Sequence, residues 1–162
     1  MIFVALGANE PSAVGPPRAT LEAALVQIAR EGGIIKAQSR FYASAPVPAS
    51  DQPWFVNAVV AIDTLLDPEE LLALLHRIEV RFGRVRRERN AARPLDLDLL
   101  AYHDLVRDTA PLLPHPRMHE RAFVLLPLAE IAPAWRHPLL KATARELAAG
   151  LPADHGAKPL PV

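Results

Sequence analysis

Between Ile2 and Ala8 the chain is apolar without a break, IFVALGA, and it turns polar at Asn9 and Glu10. A short apolar run that ends in a loop predicts a buried first strand. In ATLEAALVQIARE the residues Leu21, Ala24, Leu25 and Ile28 recur at three- and four-residue intervals, which predicts an amphipathic helix ended by the glycines at 32 and 33. IIKAQSRFYAS, residues 34 to 44, reads as a second strand, and the proline-rich ASAPVPASDQPW that follows reads as a loop. WFVNAVVAIDTLL is a further strand. Trp54, Val56, Ala58, Val60 and Ile62 make one wholly apolar face of it, while Phe55 and Asn57 stand on the other with Val59 and Ala61. A single amide beside an aromatic ring marks that second face as a candidate site.

DPEELLALLHRIEVRFGR opens with Asp67 as N-cap, Pro68 at the first helical position and Glu70 three residues after the cap, a strong helix start. Leu71, Leu74, Leu75, Ile78 and Phe82 form its apolar stripe, Gly83 ends it, and Glu79 borders the stripe rather than opposing it. LDLDLLAYH is a strand and DLVRD a short return. ERAFVLLPLAEI is helical with a proline that ends or kinks it, and TARELAAG is a short helix between Thr143 and Gly150. No repeat or linker divides the pattern, so residues 1–162 are expected to form one domain. Strands separated by helices, without a glycine-rich phosphate loop, favour an α+β sandwich over a dinucleotide-binding fold.

Composition narrows the class without naming a partner. With 162 residues, 51% of them hydrophobic, a formal net charge of zero and no cysteine, the chain has neither the charge of a general polyanion binder nor a disulfide framework. No apolar run reaches membrane-span length, and MIFVALGANE lacks the basic start of an export signal, so a cytoplasmic protein with no membrane partner is expected. Charge is uneven, however. Seven of the fifteen arginines fall between Arg77 and Arg93, opposed there only by Glu79 and Glu88.

That arginine-rich stretch runs into RPLDLDLL, residues 93 to 100. At the pleat's period of two, Asp96 and Asp98 share one face of the strand and Leu95, Leu97 and Leu99 the other. The two aspartates would have Cα atoms roughly 7 Å apart, and carboxylates leaning to about 4 Å would repel by about 4 kcal/mol at an effective dielectric near 20. Positive charge should sit between them. Magnesium and a polyphosphate held by arginines satisfy that demand; so does a structural Arg–Asp network that needs no ligand. RNA binding by the arginine run fits less well, because the carboxylates repel a phosphate backbone and few aromatics are interleaved.

The run RNAARPLDLDLL, Arg89 to Leu100, resembles the signature of the 6-hydroxymethyl-7,8-dihydropterin pyrophosphokinase family. Four further pieces fall in the family's order: GAN at 7 to 9, FYASAPV at 41 to 47 with DQPWFVNAVV at 51 to 60, RIEVRFGRVR at 77 to 86, and LPHPRMHERAFVLLPLAEIAP at 113 to 133. The likeness runs from Met1 to about Pro133 and leaves the tail uninformative.

The resemblance implies a ferredoxin-like αβα sandwich, α+β in class, with a mainly antiparallel central sheet flanked by helices. It implies transfer of the β,γ-diphosphate of ATP to the hydroxymethyl group of 6-hydroxymethyl-7,8-dihydropterin, releasing AMP in folate biosynthesis, with two Mg²⁺ ions as cofactor. By that likeness Asp96 and Asp98 hold the ions, and Arg84, Arg93, Asp96 and Asp98 carry catalysis. Glu79, Arg84, Arg86, Arg93, His115 and Arg121 contact ATP. The pterin lies between Phe55 and Phe123, with Asn57, Asp96, Ser44, Ala45 and Val47 at its edges. A monomer that binds no nucleic acid is expected, and a catalytically inactive binding module of the same fold is the alternative. The chain departs from the family pattern in having Asn90-Ala91-Ala92-Arg93 where many members carry Trp-Gly-Pro-Arg, Trp54 before the pterin strand, Pro116 in place of an aromatic, and His76 in place of glutamine.

Overall fold

The structure is a computed structural model and describes residues 1–83 and 94–161. Strands β1 (Ile2–Ala8), β2 (Gly33–Gln38), β3 (Tyr42–Ser44), β4 (Phe55–Thr64), β5 (Asp96–Tyr102) and β6 (Ala157–Pro159) form one sheet in the order β5-β1-β4-β3-β6, with β2 also pairing β4. Every pairing between these strands is antiparallel. Helices α1 (Pro17–Glu31) and α2 (Pro68–Arg81) cover one face, and α3 (Ala122–Ile131) and α4 (Ala144–Ala149) the other. The expected α+β sandwich is present. Among the described residues no helix is long and apolar enough to cross a membrane.

Two cores result, one on each side of the sheet. The first joins Ile2, Val4 and Leu6 to the leucines at 95, 97 and 99 and to the apolar stripes of α1 and α2. The second joins Phe3, Val59, Ala61 and Leu100 to Val124 and Leu128 of α3 and to Ala144. Strand β4 is therefore apolar on both faces along most of its length, because helices cover both. Its expected apolar face loses Trp54, which lies just before β4 and is 49% exposed.

Alternation on β5 holds through Leu99 and then breaks. The register passes from Val4↔Leu99 to Phe3↔Ala101, so Leu100 is an extra residue opposite β1. This bulge puts both Leu100 and Ala101 into the second core and returns Tyr102 to the first.

The single strand expected over residues 34 to 44 is two strands. Between the pairs Gln38↔Val60 and Tyr42↔Asn57 the chain has one residue more than β4 opposite it. Ser39 absorbs the mismatch: its amide donates to the Val59 carbonyl and its Oγ accepts from the Val59 amide, each at 3.0 Å. Of the two outcomes expected at its proline, helix α3 is not ended there: it continues four residues beyond the buried Pro127 to Ile131.

The start of α2 follows the sequence closely. Asp67 Oδ1 accepts from the Glu70 amide at 2.8 Å while Glu70 Oε1 accepts from the Asp67 amide at 3.0 Å. At the other end of α2, Glu79 is only 4% exposed and its Oε2 accepts from the Leu97 amide at 2.8 Å. Among the described residues strand β5 has one sheet neighbour, β1, and this carboxylate serves its other edge. Leu97 stands between Asp96 and Asp98, and Glu79 thereby fixes the segment that presents both.

Replacing Asp67 by alanine is expected to lower unfolding free energy by about 1 kcal/mol in urea titrations, the usual cost of a lost N-cap. Glu79→Ala leaves a buried amide without its acceptor and is expected to cost about 1–3 kcal/mol. Glu79→Gln keeps a side-chain carbonyl there and should retain most of that stability in the same titration.

Candidate active site

Residues paired directly across adjacent strands share a face of the sheet. Asp96 on β5 pairs with Gly7 on β1, Gly7 with Asn57 on β4, and Asn57 with Tyr42 on β3. One row therefore carries a carboxylate, an empty position and an amide in succession. Asp98 pairs with Ala5 in the next row on the same face, and Ser44 pairs with Phe55 on the far side of Asn57. Asp96, Asp98, Gly7, Ser44, Phe55 and Asn57 all line a cavity of about 880 Å³. That volume suits a substrate-sized ligand.

The glycine is a spatial requirement. A Cβ built on Gly7 would lie 3.0 Å from Asn57 Nδ2 and 4.0 Å from the Phe55 ring. Any side chain there would fill the floor between the carboxylate and the amide. Asn57 is 5% exposed, and the Ser44 hydroxyl donates to its Oδ1 at 2.5 Å. This bond sets the amide's orientation and leaves Nδ2 as the donor on the cavity wall. Ala45 and Val47, from the loop after β3, line the cavity, and Phe123, in the first turn of α3, lines it together with Arg121.

Arg121 brings positive charge to the side of the paired aspartates. Burial pulls its guanidinium below the ordinary value, and the carboxylates of Asp98 and Asp96 oppose that pull. The guanidinium carbon also lies 5.5 Å from the centre of the Phe123 ring. Arg121 thus reaches both the acidic and the aromatic parts of the site. His115 lies apart from the cavity lining. Its amide donates to the Leu100 carbonyl at 2.8 Å and its Nδ1 accepts from the Arg117 amide at 3.2 Å. Burial, followed by the charge of Arg121, lowers its pKa to about 4, so its ring is neutral at pH 7.

Glu79, expected at the nucleotide, has its carboxylate on the Leu97 amide and is absent from the cavity walls. Arg84, Arg86 and Arg93, with the Asn90–Arg93 departure from the family pattern, lie outside the described residues.

Several wall residues were not anticipated. Arg117 and Glu120 line the cavity beside Arg121, with Arg117 Nε 3.7 Å from Glu120 Oε2. Gln52 lines it as well, and Asn9 Nδ2 donates to Gln52 Oε1 at 3.0 Å and to the Pro53 carbonyl at 3.2 Å. The GAN and DQPW motifs, 43 residues apart, are thus joined by one buried asparagine. His155 and Gly156 also line the cavity, although the tail carries no pattern that announces it.

The donors suit magnesium rather than zinc. Asp96 and Asp98 offer hard carboxylate oxygens on one half-buried face, and no group of three or more His, Cys, Asp or Glu able to hold a metal occurs among the described residues. Mg²⁺ takes one or two carboxylates and completes its shell with water and phosphate oxygens, whereas an all-protein cage would need more ligands than these.

Comparison with known proteins identifies the family. Residues 3–133 match the family model of 7,8-dihydro-6-hydroxymethylpterin-pyrophosphokinase (HPPK). A relative from Methylorubrum extorquens, described as 2-amino-4-hydroxy-6-hydroxymethyldihydropteridine pyrophosphokinase, is 45% identical over 81% of this chain and 82% of its own. One of the same description from Pseudomonas aeruginosa is 44% identical over 85% and 83%. Among solved structures, the fold resembles the Plasmodium falciparum HPPK-DHPS crystal structure, with a TM-score of 0.71 and 16% identity over 91% of this chain. The chain spans 44% of that longer one. The described fold, the site row and the match over residues 3–133 lead to one assignment: the chain belongs to the HPPK family.

Proposed function

We propose that this chain transfers the β,γ-diphosphate of ATP to the hydroxymethyl group of 6-hydroxymethyl-7,8-dihydropterin, giving the pterin diphosphate and AMP, a step of folate biosynthesis. The observation that carries this reading is the row Asp96–Gly7–Asn57, a carboxylate and an amide on one face with open floor between them; this pairing supports metal binding by the first and recognition of a heterocycle edge by the second. Family membership supports it independently.

The acceptor heterocycle lies against Phe55 and Phe123, where aromatic faces suit a flat ring. Asn57 Nδ2 donates to its edge, held in orientation by the Ser44 hydroxyl. Backbone groups of Ala45 and Val47 complete the polar contacts. Asp96 and Asp98 would hold two Mg²⁺ ions together with the ATP phosphates, and magnesium bound there would neutralise the charge developing on the phosphoryl oxygens. Arg121, with Arg84, Arg86 and Arg93, grips the phosphates, and Arg84 and Arg93 stabilise the charge that builds up in transfer.

The pterin hydroxymethyl oxygen attacks the β-phosphorus. A new O–P bond forms, the bridge to the α-phosphate breaks, and AMP leaves with that bridging oxygen. Asp96 accepts the hydroxyl proton. Little base assistance is required, because positioning and charge neutralisation carry most of phosphoryl transfer.

Asp98→Asn is expected to lower AMP release by about 10²–10³-fold at saturating Mg²⁺, with the circular dichroism spectrum unchanged; near-parental turnover would overturn the metal assignment. Gly7→Ala should weaken binding of hydroxymethyldihydropterin in calorimetry, since the new methyl displaces the Asn57 amide. Its affinity for a non-hydrolysable ATP analogue should stay unchanged.

A further inference from the structure

The wall of the cavity next to the loop between β3 and β4, residues 45–54 and here termed the acceptor loop, is built from the far end of the chain, beyond the residues that match the family model. Strand β6 pairs with β3 through Ala157↔Ser44 and Lys158↔Ala43. The Ala45 amide donates to the Gly156 carbonyl at 2.9 Å, the Leu160 amide donates to the Phe41 carbonyl at 2.8 Å, and the Lys158 ammonium lies 5.8 Å from the centre of the Trp54 ring. Both ends of the acceptor loop are therefore held by this segment. Gly156 has φ +71°, a left-handed turn that takes the chain from the cavity rim into β6.

His155 sits at that turn, half-buried, on the cavity. Its Nδ1 accepts from the Ala157 amide at 3.2 Å. An imidazole nitrogen that accepts from a backbone N–H carries no proton, so in the neutral ring the proton resides on Nε2. Nε2 has no protein partner among the described residues. A ring fixed in one tautomer by its own turn, with the donor nitrogen unspent, is arranged to give a hydrogen bond to something in the cavity.

We propose that His155 is a specificity-determining residue for the acceptor: its Nε2–H donates to a ring-nitrogen or carbonyl acceptor on the edge of the heterocycle whose other contacts are Phe55 and Asn57. This rests on the acceptor reading above. A role confined to capping the turn would make a different demand, because any side-chain acceptor in the position of Nδ1 would meet it. Asparagine provides such an acceptor, bonding to the amide two residues on, but lacks the reach of Nε2.

The test is calorimetry on the full chain with hydroxymethyldihydropterin and, separately, a non-hydrolysable ATP analogue with Mg²⁺, comparing the parent, His155→Asn and Phe55→Ala. His155→Asn is expected to weaken acceptor binding by about threefold to tenfold, the worth of one hydrogen bond. Its ATP-analogue affinity and thermal midpoint should remain those of the parent, and steady-state kinetics should show the loss in acceptor KM rather than in kcat. Unchanged acceptor affinity in His155→Asn, with Phe55→Ala impaired, overturns the proposal and leaves the acceptor site standing. Equal weakening of acceptor and nucleotide in His155→Asn also overturns it, since the effect would then lie in the fold. If neither variant alters acceptor binding, the acceptor reading itself falls, and this inference with it.

Discussion

The cross-strand row Asp96–Gly7–Asn57 is the constraint around which the site is built. Register makes it possible: a one-residue slip of β5 against β1 would turn Asp96 and Asp98 into the leucine core and bring the leucines out to the cavity. The slip is prevented from both sides of β5. The leucines at 95, 97 and 99 anchor one face in the first core, and on the outer edge Glu79 accepts the Leu97 amide. The aspartates keep their place because the residues alternating with them are firmly placed.

The polar and aromatic groups of the cavity are thereby divided among strands. Strand β5 carries the carboxylates, β4 carries the amide and one aromatic ring, and β1 separates them with a residue that has no side chain. Arg121 and Phe123 enter from the start of α3, above the same face of the sheet. Further hydrogen bonds tie that helix to the acceptor side. Glu130 near the end of α3 accepts from the Tyr42 hydroxyl at 2.6 Å and from the Arg40 amide at 2.8 Å. Tyr42 occupies the same row as Asn57, so the helix that delivers Phe123 and the strand that orients Asn57 are referenced to one another.

Most of this was legible in local patterns. The alternation of Asp96 and Asp98 with leucines, the Asp67–Glu70 cap, and the shared face of Phe55 and Asn57 depend on residues within a few positions of one another, and each stands as read. Features that depend on what lies opposite were not legible. The break at Ser39 is set by the pairing length of β4, and the outward position of Trp54 by where β4 begins. The tail offers only HGAKPL, too short and too proline-flanked to announce a strand, yet β3 supplies a partner for it. Asn9 looked like part of a loop motif, and its link to Gln52 depends on two segments meeting in space. For Glu79, the position beside the apolar stripe correctly suggested an inward side chain, while its partner, a backbone amide on β5, was invisible to helix periodicity.

The Glu79 carboxylate also bears on how copies of this chain meet one another. An outer strand with free amide groups is a template onto which a second molecule can add its own strand, the usual beginning of sheet-to-sheet aggregation. Here an amide on that edge is already bonded, and the acceptor is an acidic side chain on a covering helix rather than another backbone. An incoming strand would have to displace Glu79 from its buried position before it could pair at Leu97. The contact that keeps the two aspartates in register therefore also occupies the edge group through which an added strand would pair at Leu97.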